Sequence, residues 1–150
     1  MAATTLEALR LALIARGEAA GLTASSAYDV EQAPNTHRAG GHFSVHILST
    51  RDSDRMSSSA KATGSGAWLE ARGEIKTVHR LGPKSGQAGD STAMTNAVAL
   101  VRYLMVPATT LTADFEFKVP SQTFSTLGKG EYHLTRTTWQ ASFLLDLAVP

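Results

Sequence analysis

The run Ala67-Trp68-Leu69-Glu70-Ala71-Arg72-Gly73-Glu74-Ile75-Lys76-Thr77-Val78 constrains this chain more than any other stretch. Leu69, Ala71, Gly73, Ile75 and Thr77 fall on one side of a period-two pattern. Glu70, Arg72, Glu74 and Lys76 fall on the other, with alternating sign. Only an extended strand separates neighbours in this way, because successive strand side chains point to opposite faces of a sheet. Such a strand needs partners and a core on at least one face. Its charged face meets either water or another subunit. Surface ion pairs contribute little to stability, which favours water.

Other stretches supply the partners. In His42 to Leu48, Phe43, Val45 and Ile47 oppose Ser44 and His46, the pattern of a half-buried strand. Thr112 to Val119 sets Phe115, Phe117 and Val119 against Asp114, Glu116 and Lys118, and Pro120-Ser121 is expected to end it. In Tyr132 to Leu147, Trp139, Ala141, Phe143, Leu145 and Leu147 alternate with Gln140, Ser142 and Asp146, which suits a sheet interior. Two helices are expected. The first runs from about Thr5 to Ala20, with Leu6, Leu9, Leu13 and Ile14 on one face. Thr4 and Glu7 have capping-box spacing, and Gly21 is a left-handed stop. The second starts at Asp90 or Ser91, both good N-caps, and carries the stripe Met94, Ala97, Val98, Val101, Leu104 and Met105 before Pro107. Its small residues Ala93 and Ala97 would let it lie close on a sheet.

Between these lie less regular stretches. Thr23 to Gly41 is irregular, with Tyr28-Asp29-Val30 a short strand candidate broken by Pro34. Ser49 to Gly66 has few apolar residues and reads as a flexible arm between antiparallel strands. Ser121 to Gly130 reads as a second flexible loop. Strands 43–48 and 67–79 can form one hairpin, and 112–119 and 132–147 another. The expectation is a single α+β domain over residues 1–150. It is a mostly antiparallel sheet of about four main strands with two helices packed on it and long flexible loops.

Composition narrows the function. Charged residues make up 18% of the chain, below the roughly 25% usual for globular proteins, which suits a surface covered by partners. The net charge is +1, from 14 Lys and Arg against 13 Asp and Glu, with no basic cluster of the kind a nucleic-acid binder shows. There is no cysteine, so disulfides, thiolate catalysis and cysteine zinc sites are excluded. The start of the chain lacks a basic region followed by an apolar run, and Leu11 to Ala15 is too short to span a bilayer. A cytoplasmic start is expected, without a membrane.

No stretch carries a convincing catalytic pattern. Gly82 to Gly89 precedes a helix, but a phosphate loop needs Gly-Lys-Ser/Thr at the helix start. Here Lys84-Ser85 precedes Gly86, and Asp90 puts a carboxylate where an anion would bind. Asp52 and Asp54 are flanked by Arg51 and Arg55 and read as a salt-bridged loop, not a metal site. His42 and His46 share a strand face but are too far apart to chelate together. Ser57-Ser58-Ser59 lacks the G-x-S-x-G context of a hydrolase nucleophile. No cofactor or metal is expected.

The whole layout resembles the tail terminator, or tail completion, proteins of long-tailed bacteriophages and phage-like particles. The features that carry the resemblance run in order: a short N-terminal helix, a Pro-containing crossing segment, and a strand. A Ser/Gly-rich loop, a long strand of alternating charged and small residues, and a loop follow. Then come a helix opening Asp90-Ser91, a strand, a flexible hairpin and an apolar last strand. The resemblance covers nearly the full chain and is one of layout, without a diagnostic motif.

It implies a structural virion protein with no catalysis, assembled in the host cytoplasm. Such a protein would be a homo-oligomer, a hexameric ring on the last ring of tail tube protein. It would end tube polymerisation and present a surface to the head-tail connector or neck protein. DNA would pass the lumen without sequence-specific binding. The interface candidates are Arg51, Asp52, Asp54, Arg55, Lys61, Glu70, Arg72, Glu74, Lys76 and Lys129. The polar face of Glu70, Arg72, Glu74 and Lys76 is a candidate lumen lining, whose balanced charge would not grip a polyanion. Another connector component, the tail tube protein itself, and a small ligand-binding domain or enzyme remain alternative readings.

Overall fold

The computed structural model describes residues 3–26, 28–32, 41–52, 62–63, 66–81, 86–105, 115–128 and 130–146. Along these the elements are β1 (Ala3–Thr4), α1 (Leu6–Ala19), β2 (Thr23–Ala24), β3 (His42–Asp52), β4 (Ala62–Thr63) and β5 (Gly66–Arg80). α2 (Gly86–Met105), β6 (Glu116–Leu127) and β7 (Tyr132–Asp146) follow. β5 is the spine. It pairs antiparallel with β7 from Gly66 opposite Asp146 to Arg80 opposite Tyr132, and on its other side with β3. β6 lies antiparallel along the far side of β7.

The α+β class, the two helices and the mostly antiparallel sheet agree with the sequence reading. The width of the sheet does not. β1 pairs parallel with β7 beyond the end of β6, and β4 pairs with β5 beyond the end of β3. β2 adds a parallel strand outside β3. The sheet is therefore mixed and five strands wide, in the order β1-β7-β5-β3-β2, instead of four. β1 and β2 have only 2 residues each, too short to show any periodicity.

Two expected loops are partly strand. β3 continues past Leu48 to Asp52 by absorbing a bulge between Ile47 and Ser49. Ser49 to Asp52, assigned to the flexible arm, thus pair with Arg72 to Leu69. β6 runs straight through Pro120, and most of the expected loop 121–130 is strand up to Leu127. The register slips between Lys118 and Ser121, so the proline sits in a bulge on an edge strand, where its missing N–H breaks no ladder bond. The turn that follows uses Gly128 and Gly130 at positive φ.

The helices are also re-bounded. The N-cap of α1 is Thr5, whose hydroxyl accepts from the Ala8 N–H, because Thr4 is held in β1 opposite Leu145. Glu7 pairs instead with Arg10. Gly21 ends α1 with φ of 89°, as expected. α2 begins at Gly86, so Asp90 lies inside the helix and does not cap it. Glycine adopts helical φ and ψ at a modest cost, so a Gly-rich stretch does not forbid a first turn.

Both helices pack on one face of the sheet. Leu9, Ala12 and Leu13 of α1 and Leu100 and Leu104 of α2 meet Phe43, Ala71, Ile75, Trp139, Ala141 and Phe143. The buried stripe of α2 is Ala93, Ala97, Leu100 and Leu104, while Met94, Val98 and Met105 are exposed. α2 has apolar residues on two sides, and the sheet selected the side with small residues because it permits close approach. Two glycines show how tight the packing is. A Cβ at Gly17 would enter the Phe43 ring, and one at Gly73 would collide with the His46 carbonyl and the Trp139 indole. Arg16 is buried in the same layer with its guanidinium 4.5 Å from the centre of the Phe117 ring. Among the described residues no helix is long and apolar enough to cross a membrane.

Candidate functional site

The face of the sheet opposite the helices carries the charged positions. Its two ends differ. At one end the segment 28–32 crosses from β2 and lies over β3, β5 and β7. Val30 anchors it, fully buried against Val78, Tyr132 and Leu134, with Leu127 packed beside them. The Val30 N–H donates to Ser44 Oγ at 3.1 Å, and the Asp29 carboxylate caps the Glu31 N–H at 3.0 Å. The segment is therefore a strap held by a small apolar cluster and fixed by polar bonds. It is not the short strand that Tyr28-Asp29-Val30 suggested.

The strap brings two carboxylates onto a lysine. Lys76 Nζ lies 2.9 Å from Asp29 Oδ2, 3.0 Å from Glu31 Oε2 and 3.7 Å from Glu74 Oε1. Glu31 also receives Arg136, at 2.6 and 2.8 Å from its two oxygens. Burial opposes the charged form of Asp29 and of Glu31 and is the largest single influence on each. For Asp29 the hydrogen bonds from Lys76 and the Glu31 N–H outweigh it; for Glu31 those from Arg136 and Lys76 do. Both carboxyls are held below their ordinary pKa. Burial likewise opposes the Lys76 ammonium, but Asp29 and Glu31 more than compensate and raise its pKa. With only 11% of its side chain exposed, Lys76 is the centre of an intrachain network.

Beside the strap, Ser44 Oγ lies 2.9 Å from His46 Nε2, and Asp29 Oδ1 lies 4.0 Å from the same nitrogen. A nucleophilic relay needs the carboxylate on the far nitrogen, where it orients the imidazole. Here both groups approach Nε2, and the serine oxygen already accepts from Val30. Ser44, His46 and Asp29 form a clasp for the strap.

The other end of this face is open. Glu70 is bonded by Arg51 Nε at 3.0 Å and by Arg72 Nε at 3.1 Å, and both guanidinium groups are about half exposed. Burial works most strongly against the Glu70 carboxylate, but Arg72 and Arg51 outweigh it and hold its pKa low. Of the residues nominated from sequence, Arg51, Glu70 and Arg72 form this open cluster. Glu74 and Lys76 belong to the strap network. Asp52 ends β3 opposite Leu69, and Asp54, Arg55, Lys61 and Lys129 lie outside the described residues.

Sequence reasoning missed Asp29, Glu31 and Arg136. Asp29-Val30-Glu31, two acids flanking one apolar residue, was the available signal, since residues two apart in an extended chain face the same way. Among the described residues no group of three or more His, Asp or Glu side chains is placed to hold a metal ion. His79 is buried with Nε2 3.0 Å from Asn96 Nδ2, and burial, with His133 and His42 nearby, pushes its pKa down to about 4. No protein-family model and no curated protein matches this sequence.

Proposed function

We propose that this chain is a structural virion protein of the tail-terminator kind. It caps a tail tube as a ring of copies, ends tube polymerisation and offers its outer surface to the head-tail joining proteins. One observation carries the reading: the order of elements. A short helix, a strand, a long charged strand, a second helix and a final hairpin fold into one sheet with both helices on one side. That is the layout expected of such a protein, and it completes a core while leaving Met94, Val98 and Met105 of α2 exposed for contacts. The open cluster of Arg51, Glu70 and Arg72 keeps its charges paired within the chain, which suits a surface that a polyanion passes without being held.

Negative-stain imaging of the purified protein, alone and with tail tubes, tests this reading. Rings seated at one end of each tube are expected. Tubes grown by the protein itself would make it a tube subunit, and tails of normal length in its absence would make it another connector component. Glu70→Lys then separates lumen from interface. Rings that survive the change place Glu70 on an open surface, and loss of rings places it between subunits. Lys76 does not serve for this test, because it is engaged by Asp29 and Glu31 of the strap.

A further inference from the structure

The sheet beneath the strap forms a cradle suited to an anion. Lys76 and Arg136 stand directly opposite each other on β5 and β7, and Ser44 of β3 is opposite Lys76. Like charges facing across two strands destabilise a sheet by themselves. Here the strap satisfies them. Asp29 and Glu31 lie 2.9 and 3.0 Å from Lys76 Nζ, and Glu31 also holds Arg136. Glu74, on the same strand as Lys76, reaches it only at 3.7 Å. Two residues further along, on the same face, Val78 stands opposite Leu134, and these two with Tyr132 receive Val30. Two cations and an apolar socket thus match one short motif, acid-aliphatic-acid. The motif is presented as a tight turn. The Gln32 N–H donates to the Asp29 carbonyl at 3.1 Å and the Glu31 N–H to the Asp29 carboxylate at 3.0 Å, the bonds of an aspartate-led turn.

The strap fills this cradle without being woven into the sheet. Among the described residues no backbone–backbone hydrogen bond joins it to a strand, and its main-chain tie to the sheet is the Val30 N–H on the Ser44 hydroxyl. Of residues 28–32 only Val30 is buried; Asp29 and Glu31 are partly exposed and Tyr28 is exposed. Lifting the strap returns its carboxylates and the two cations to water together, and hydration of the freed charges offsets much of the lost Coulomb attraction. Substituting one partner differs, because it leaves the others buried and unpaired. Segments with few buried apolar contacts open locally while the rest of a fold stays closed.

We infer that the cradle of Ser44, Lys76, Val78, Leu134 and Arg136 is a docking site for an acid-aliphatic-acid turn on a partner protein, and that the strap is its occupant within the chain. Charge complementarity sets the partner's chemistry: two carboxylates flanking one aliphatic side chain, in a turn led by aspartate. The partner's turn displaces the strap. Its apparent affinity is reduced to the fraction of molecules whose strap is lifted. The site does not depend on a ring of copies.

A fluorescein-labelled, end-blocked peptide of residues 26–33, Ser-Ala-Tyr-Asp-Val-Glu-Gln-Ala, supplies the motif in trans. Its binding to the full chain is read by fluorescence anisotropy. Asp29→Asn with Glu31→Gln loosens the strap and leaves the cradle intact, so the peptide should bind this double variant on the order of tenfold more tightly than wild type. A peptide with Asn and Gln in place of its two acids should not bind, and adding Arg136→Ala to the double variant should abolish binding. Val30→Ala, which loosens the strap but keeps its carboxylates, is measured alongside and should also bind more tightly than wild type; it carries the test should the double variant fold poorly by thermal melting. No saturable binding to a folded variant, equal affinity for that variant and wild type, or equal binding of the neutral peptide overturns the site. Wild-type oligomers that the peptide dissociates would make the strap of a second copy the occupant and overturn the separate partner.

Discussion

The alternating charges of β5, Glu70, Arg72, Glu74 and Lys76, share one strand face but lie in different environments at its two ends. At the Trp68–Arg72 end, Glu70 is flanked by two half-exposed arginines and the charged face is open. At the Lys76–Arg80 end, helices cover one face and the strap covers the other, so Lys76 is nearly enclosed and Val78 is 1% exposed. A run of alternating charges thus specifies a strand and its two sides, but not which charges remain at the surface. That was decided by a segment distant in sequence, through three residues, Asp29, Val30 and Glu31.

The contrast predicts that substitutions at the two ends differ in cost. The largest effect is expected from Lys76→Met, which leaves the carboxylates of Asp29, Glu31 and Glu74 without their ammonium. It should destabilise the fold by about 2–3 kcal/mol in urea unfolding, somewhat below the penalty for breaking a fully buried pair. The triple change Asp29→Asn, Glu31→Gln, Lys76→Met should recover most of that loss, since neutralising all partners removes the uncompensated charge. A Lys76→Met protein as stable as wild type would mean that the strap does not close over the sheet.

Val30→Ala comes next, at about 2 kcal/mol, from two carbons lost at a fully buried site and the cavity they leave. Increased protease cleavage within 28–32 should accompany it. A third effect is pH-dependent and sits at the same end of β5. His79 is neutral in the folded protein down to about pH 4, whereas a free histidine protonates near 6.5. Between these values the unfolded chain binds the proton that the folded chain refuses, so stability falls as pH drops through that window. His79→Gln should flatten this limb of the urea midpoint against pH. The lowered carboxyl pKa values of Asp29 and Glu31 act further down. Their contribution is complete above the ordinary carboxylate range and is lost as pH falls through the depressed folded values. The smallest effect belongs to the open end: Arg72→Ala should change stability by about 0.5 kcal/mol or less, because Arg51 still pairs with Glu70 and surface pairs are weak. A loss comparable to that of Lys76→Met would erase the contrast.

The boundaries that were misread share a cause. Pro120 and the Gly86–Gly89 stretch are local breakers. Pro120 was tolerated because β6 is an edge strand with a bulge, and the Gly-rich stretch because a helix can begin on glycines. The choice of the Ala93, Ala97, Leu100, Leu104 stripe over the one holding Val98 was equally invisible, since both sides of α2 are apolar.

What the sequence by itself determined is local: the strands, the two helices, and which residues share a side, because side-chain period and capping chemistry act over a few residues. Trp139, Ala141 and Phe143 in the interior of β7 were readable in this way. What only the tertiary structure decided is which sides are covered. The strap over Lys76 and the pairing of Arg136 with Glu31 across the sheet join residues far apart in the chain. Burial and ion pairing depend on that distant packing, and no local pattern encodes it.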